Sequence, residues 1–305
     1  MKFGVNVPNY GPGATPETLG EWAGRLEGLG YHHLLVSDHV APTPEVQRLF
    51  AAPFYDPFTV LSYLAGVTRT IGLGTTVTIL PYRHPVLTAR MAAAIDRLSG
   101  GRFVLGAAAG WAPGEFAALG VPYARRGARS DEYLAVIKAC WANDVVSHHG
   151  EFVSFDHLHT GPAPLQRPGP PVWVGGHSPG ALRRAVRFGD AWHPTSVTAQ
   201  WLTGYGLPAL ERTAKELDLP VPALVPRIKL RVTARPLGNG RLMGEGSLDE
   251  IHQDLALLDA LGAPAVVLDP TFPGEPRTPE RNARDLDTLE ILARTVIDPE
   301  QQRLR

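Results

Sequence analysis

Pro170-Pro171-Val172-Trp173-Val174-Gly175-Gly176-His177-Ser178-Pro179-Gly180-Ala181-Leu182-Arg183-Arg184-Ala185 is the stretch whose reading decides the fold. Val172 to Val174 is a short apolar run of β-branched and aromatic residues, which predicts a buried strand. Two glycines end it, and Ser178-Pro179 opens a helix as N-cap and first helical residue. That helix is expected to bury Ala181, Leu182, Ala185 and Val186, to turn Arg183, Arg184 and Arg187 outward, and to stop at Gly189. A strand, a turn without side chains and a capped helix start leave several backbone N–H groups unpaired. Because the helix dipole is positive there, Gly175, Gly176, His177 and Ser178 form a candidate seat for the phosphate of a cofactor. A plain βα turn would read the same.

Outward from this unit, strands and helices alternate along the chain, the pattern of a parallel sheet. Strands are predicted at Lys2 to Val7, His33 to Val36, Ile71 to Val77, Phe103 to Ala108, Val172 to Val174, Ala191 to His193, Ile228 to Val232 and Ala265 to Leu268. The helix before Gly100 should bury Met91, Ala94, Ile95 and Leu98. One long helix is expected from about Thr198 to Leu217, and another with Ile251, Leu255, Leu258 and Leu261 inward. The alternation breaks once, at about 143–171, where a hairpin from Val145 to Phe155 precedes a Pro-rich connector. Eight strands and eight helices predict one (β/α)8 TIM barrel over residues 1–305, with that hairpin inserted between strands four and five.

Composition narrows the function. The 305 residues are 44% hydrophobic and carry a formal charge of −1 with no basic block, which gives nucleic acid no electrostatic partner. No run of 18 apolar residues exists, and the amino terminus leads directly into a strand. We therefore expect no signal peptide, no membrane partner and a cytoplasmic protein. The single cysteine, Cys140, cannot form an internal disulfide and should be buried.

Chemistry in such barrels sits at the carboxyl ends of the strands. Those ends hold Asn6, Asp38, His39, Thr75, Thr76, Gly110, Trp111, Trp192, His193 and Asp269. A glycosidase needs two carboxylates there; only Asp38 and Asp269 qualify, and Asp269 precedes a proline that gives it a turn-shaping alternative. No metal site is expected, since His148-His149 falls at a hairpin tip and His157-x-His159 in a loop. Few catalytic charges beside a phosphate seat point to a bound organic cofactor that performs a redox step.

The motifs then converge on one family. Asn6 to Asn9, Ser37-Asp38-His39, Leu73-Gly74-Thr75-Thr76-Val77, Arg83-His84-Pro85, Leu105 to Trp111 with Glu115-Phe116, Arg126-Gly127-x-Arg129 and Pro164 to Gly176 resemble the bacterial-luciferase-like flavin and deazaflavin oxidoreductases, in order and over nearly the whole chain. The resemblance implies a barrel that binds the deazaflavin coenzyme F-420, or FMN, across its mouth. Ser-Asp-His is closer to the deazaflavin branch, which favours a hydride transfer between coenzyme F-420 and a small organic substrate. It also implies His39 as proton donor, proton acceptor or substrate anchor, with Asp38 orienting it or touching the ring edge. A non-proline cis peptide is implied at Thr76–Val77 behind the ring. Asn6, Thr75, Gly110 and Trp111 would complete the cofactor pocket, and a homodimer is the expected state.

The departures are also informative. The sugar-phosphate-oxidising subgroup has a glutamate at the end of strand four, where this chain has Ala108 to Gly110. Lys229 and Arg231, alternating on strand seven, would bind an anionic substrate if they face the mouth. Arg126, Arg129 and Glu132 are expected to form local ion pairs near the hairpin. Two alternatives stay open: an FMN-dependent monooxygenase using O2 and a cofactor-reducing partner enzyme, and a non-catalytic flavin-binding barrel.

Overall fold

Short apolar runs form parallel strands, and amphipathic runs form the helices between them, in the computed structural model, which describes residues 1–305. The first strand, Lys2–Asn6, pairs on one side with His33–Val36 and on the other with Ala265–Asp269. His33–Val36 pairs with Gly72–Thr75, which pairs with Phe103–Ala108; Val172–Gly175 and Ala191–His193 follow in turn. The seventh position is divided. Ala223–Leu224 pairs with the sixth strand and Arg227–Lys229 with the eighth, so residues 223–229 join the two ends of a curled parallel sheet.

This corrects the seventh strand expected at Ile228 to Val232. Pro222 and Pro226 lack the N–H a ladder needs, so the pairing is split into two short pieces. Beyond Lys229 the chain leaves the sheet, and Arg231–Val232 pairs instead with Glu245–Gly246.

Inside the sheet, Leu35, Val104, Trp173, Val225, Ala265 and Val267 form a packed plug. Phe3, Val5, Leu34 and Val36 belong to the larger core that the helices cover. Helix starts at the strands' carboxyl ends are capped as their sequences require. Thr15, Asp56, Ser178, Ser247 and Thr278 each accept a backbone N–H from the first turn. No helix is long and apolar enough to cross a membrane. Cys140 is buried and unpaired.

Several helix faces differ from expectation, each for a local reason. In Pro85–Leu98, Leu98 is exposed and Met91 half-buried, while Ala92, Ala93 and Asp96 are buried. The Asp96 carboxylate turns this face inward by accepting the amides of Leu165 (2.7 Å) and Gln166 (3.0 Å) from the connector. Leu261 lies just past the end of Leu248–Ala260 and is exposed. Arg184 does not point outward: it is buried, bridged to Asp131 at 2.6 Å and donating to the Gly127 carbonyl at 2.8 Å. The long helix is interrupted. A wider turn at Leu202–Gly206 separates Ala199–Trp201 from Leu207–Leu217, where Pro208 removes a helical N–H.

The hairpin pairs Val145–His149 with Ser154–His159, so its second arm runs four residues beyond the expected Phe155. Its turn is held by Glu132, whose carboxylate accepts the amides of Glu151 (2.9 Å), Phe152 (3.0 Å) and Val153 (2.9 Å). The expected ion pairs are borne out only at Glu132, which lies 3.4 Å from His148 Nε2 while also serving the hairpin backbone; Arg129 lies over the Phe152 ring and Arg126 over that of Tyr123, neither against a carboxylate.

Gly106 marks the tightest approach beneath the mouth, since a Cβ there would stand 1.9 Å from the Thr75 carbonyl oxygen. Gly106→Ala should therefore destabilise the protein by about 1–3 kcal/mol, read as a lower urea midpoint. An unchanged midpoint would refute that close approach.

Candidate active site

The floor of the mouth is built where the third strand ends. The Thr76–Val77 peptide is cis and non-proline, at the position the resemblance implied. Thr75 is not a cavity residue: its hydroxyl donates to the Gly106 carbonyl at 2.7 Å and accepts from Thr78 at 2.9 Å. Thr76 meets two further strands. Its carbonyl accepts from Arg227 at 2.5 Å, and its hydroxyl lies 2.9 Å from His193 Nε2. His193 Nδ1 is 2.5 Å from the Val225 carbonyl, which can only accept. Nδ1 therefore carries the proton, and the Thr76 hydroxyl donates to Nε2. Burial pushes His193 down to about 4, keeping the ring neutral.

Asp269, at the end of the eighth strand, gathers the next layer. Its carboxylate accepts from Asn6 Nδ2 (2.9 Å), Lys229 Nζ (2.8 Å), Arg227 Nη2 (2.9 Å) and the Thr271 hydroxyl (2.7 Å). Burial works against its charge, but the two cations outweigh it and hold the group below the usual carboxylate range. Lys229 is itself pushed down by burial, against the pull of Asp269. Asn6 and Lys229 thus face inward, but their polar ends are engaged with Asp269. Arg231 lies outside the mouth, with its guanidinium 2.6 Å from Glu275 and over the Phe272 ring.

His39 and Asp38 point to different partners. Asp38 pairs with both terminal nitrogens of Arg83 (2.7 and 3.0 Å) and accepts the Ile79 amide at 2.9 Å, so it fixes the chain after the cis bond and does not orient His39. The group that orients His39 is Glu115, whose Oε2 lies 2.6 Å from Nδ1. Glu115 is fully buried and also accepts from the Tyr82 hydroxyl (3.0 Å) and the Ala41 amide (3.0 Å). Burial raises this carboxyl, yet the hydrogen bond and charge of His39, with those other donors, bring it below its ordinary range. His39 Nδ1 faces a carboxylate, so it carries the hydrogen and leaves Nε2 without a protein partner.

Above the floor lies a cavity of about 530 Å3. One end is the fifth strand's turn: Gly175, Gly176, Ser178, Gly180 and Ala181 line it. Gly176 has φ +108°, and a Cβ there would press to 2.9 Å on Ala181. The amides of Gly176, Ser178 and Gly180 have no acceptor within the protein, while the Ser178 hydroxyl accepts the Ala181 amide at 3.2 Å. Arg126 and Arg184 also line this end. Arg126 is held by the Gly110 carbonyl (3.0 Å) and the Tyr123 ring, with no carboxylate to neutralise it. Thr76, Val77, Gly110, Trp111, His193 and Arg227 form the remaining wall. His177 is not part of the wall: its ring lies 4.9 Å from that of Trp201, and its Nε2 accepts the Thr195 amide at 3.3 Å. Nor does His39 line this wall; its link to it is Trp111, edge-on at 5.8 Å.

Sequence reasoning therefore missed Glu115, Arg126 and Arg227 as site residues. Arg227 stood one residue before the expected strand. Glu115 was visible only as part of Glu115-Phe116 after Gly110-Trp111, with nothing local to tie it to a histidine 76 positions away.

This architecture belongs to a recognised class. The luciferase-like monooxygenase family matches residues 1–232, and the chain belongs to that family. An uncharacterised protein of Mycobacterium tuberculosis is 34% identical over 178 residues, 54% of this chain and 61% of that protein. The FMNH2-dependent dimethylsulfone monooxygenase of Pseudomonas putida is 39% identical over 115 residues, 37% of this chain and 31% of that enzyme. The chain thus spans less than two-thirds of the length of these curated relatives. Among solved structures, the coenzyme F420-dependent tetrahydromethanopterin reductase of Methanopyrus kandleri shares the fold, with a TM-score of 0.76, 17% identity, and coverage of 96% of this chain and 97% of that one.

The neutral His193 makes stability depend on pH. Its folded value of about 4 lies below the ordinary histidine value of 6.5, so the unfolded chain binds the extra proton first. Stability should fall as pH drops from 6.5 toward 4, by up to about 3 kcal/mol from this residue. His33 shares the window, also lowered to about 4 by burial. Urea unfolding of wild type against His193→Gln across that range isolates the term, and parallel curves would exclude it.

Proposed function

We propose that this luciferase-like chain is an oxidoreductase that holds the deazaflavin coenzyme F-420 and transfers a hydride between it and a small organic substrate. The observation that carries the reading is the open helix start: free amides of Gly176, Ser178 and Gly180 beside Arg126, an anion seat at one end of a cavity walled by small residues. Gly175, Gly176 and Ser178 hold the phosphate, and Val77, Gly110 and Trp111 border the ring. The cofactor, when bound, supplies the hydride chemistry. The protein's share is orientation, exclusion of water and a proton held at His39. Glu115 keeps the proton of His39 on Nδ1 and leaves Nε2 free to exchange one with the substrate. Lys229, engaged with Asp269, and Arg231, outside the mouth, are not assigned to substrate. The protein works in the cytoplasm as a homodimer on this reading.

A second reading, an FMN-dependent monooxygenase with a partner flavin reductase, is favoured by the dimethylsulfone monooxygenase likeness and by a relative named as the oxygenase component of a flavin-dependent trigonelline monooxygenase. Titration of the purified protein with coenzyme F-420 and with FMN separates the two. Deazaflavin should bind the tighter; micromolar FMN binding without deazaflavin binding decides for the monooxygenase.

Two variants test the assigned roles. Arg126→Ala should weaken the phosphorylated cofactor roughly 10- to 100-fold, the worth of a charged hydrogen bond, while sparing its phosphate-free form. His39→Ala should lower turnover about 10²–10⁴-fold with cofactor affinity kept. Unchanged turnover in His39→Ala would point to a barrel that binds flavin without catalysis.

A further inference from the structure

The amino ends of the strands, opposite the mouth, carry two adjoining hollows. One, of about 450 Å3, has Lys2, Glu27, His32, His33, Arg102 and Gln166 on its wall. The other, of about 640 Å3, is bordered by Lys2, His33, Val104, Trp173, Val225 and Asp190. Lys2, His33 and Val104 belong to both.

Strand alternation brings the lysine and the histidine together. Phe3 and Val5 face the helices, which leaves Lys2 on the inward side of the first strand with Gly4 and Asn6. Leu35 packs in the plug, and His33, two residues earlier, shares its side. Gly4 and Gly72 are its neighbours on the flanking strands, and a Cβ on Gly72 would stand 2.7 Å from the imidazole. Glycine there makes room for the ring.

Most polar groups at this end are spent on backbone. Glu27 accepts the amides of Arg69 (2.8 Å), Thr70 (2.6 Å) and Ile71 (3.0 Å). Arg102 donates to the carbonyls of Ser99 and Ile71, both at 2.5 Å. Asp190 accepts the Val172 amide at 2.7 Å, and His32 Nδ1 that of Phe3 at 3.3 Å. Two groups are left over. Lys2 has no carboxylate within 4.0 Å, and His33 Nδ1 is buried with no hydrogen-bond partner. Burial, and then the Lys2 charge, push His33 down to about 4, so its ring is neutral. No group of the protein offsets the burial of that imidazole nitrogen.

We infer that the amino end of the barrel binds a small monocarboxylate with an apolar body, its oxygens between Lys2 and His33. The body lies against Trp173, Val104 and Val225; the Trp173 ring stands 5.3 Å from that of His33, so apolar surface begins where the two donors end. A single negative charge is what the site can match. Lys2 is the one unpaired cation, Asp190 and Asp259 share the larger hollow, and helices end on this side with their negative poles. The site lies opposite the cavity proposed for the cofactor and does not depend on that reading.

Benzoate is the probe, with binding followed by calorimetry. Benzyl alcohol, the same body without the charge, should bind at least about tenfold more weakly, the worth of a charged hydrogen bond. Acetate, which lacks the body, should lose at least about tenfold as well. Lys2→Met should weaken benzoate by a similar factor, and Lys2→Arg should retain it. Near pH 5 benzoate should bind with proton uptake, because a carboxylate beside His33 favours the imidazolium; the heat then varies with the buffer's ionisation enthalpy. His33→Leu, which removes an unpaired buried group and keeps the fold, should abolish that uptake. Absence of benzoate binding, unchanged affinity in Lys2→Met, benzyl alcohol binding as tightly as benzoate, or equal uptake in His33→Leu overturns the inference.

Discussion

One buried carboxylate ties the mouth together. Asp269 receives Asn6 from the first strand, Arg227 and Lys229 from the seventh, and Thr271 from its own loop. Arg227 then reaches the Thr76 carbonyl, and Thr76 reaches His193, so the third and sixth strands join the same network. A carboxylate taken out of water is tolerable only with such compensation; with one partner removed, the remaining charges would be left buried and unpaired. The cluster carries two cations to one anion, so the floor keeps a net positive charge where the Thr76–Val77 backbone borders the cavity. Anchoring strands and setting the potential of the site are here the same interaction.

The parts legible in the sequence were those whose signal is local. A parallel sheet followed from apolar runs alternating with capped helices, and the open helix start from a strand, two glycines and Ser178-Pro179. The cis bond at Thr76–Val77 came from family resemblance, not from any propensity of a Thr-Val pair. What stayed hidden were pairings between distant segments. Asp269 read equally well as a turn former because a single strand-end carboxylate does not reveal which cations meet it. Arg184 sits on the expected outward face of its helix, yet the helix Arg126–Ala142 covers that face and supplies Asp131. Periodicity reports which side of a helix is apolar; it does not report which neighbour brings a carboxylate. Asp96 makes the same point in reverse, since a buried acid rotated the stripe that Met91 and Leu98 had suggested.

Glu115 shows how a missing feature can be replaced from elsewhere. The strand-four end offers only Ala108 to Gly110, small residues that leave room in the cavity. The carboxylate arrives instead from the short helix Pro113–Ala118, just beyond Trp111. Phe116 anchors that helix beneath the mouth, edge-on to Tyr82 at 5.0 Å, and Tyr82 donates to the same carboxylate that holds His39. Histidine, glutamate and tyrosine are thus fixed by packing as well as by hydrogen bonds, so the tautomer of His39 is set by the fold itself.

Division of charge along the cavity then follows from where each element ends. The fifth strand ends in glycines under a capped helix, and Arg126 comes across from the neighbouring helix, so this end attracts anions. The second strand ends in Asp38-His39, whose charges are consumed by Arg83 and Glu115, and the loop that follows contributes Phe50 and Phe54 in place of further polar groups. A molecule with an anionic tail and an apolar partner would be sorted by these two ends without either being recognised in detail. An anion placed away from the fifth strand's end would forfeit Arg126 and the free amides and lose its water without exchange. The end of the fifth strand is therefore the part of the mouth whose charge favours an anion.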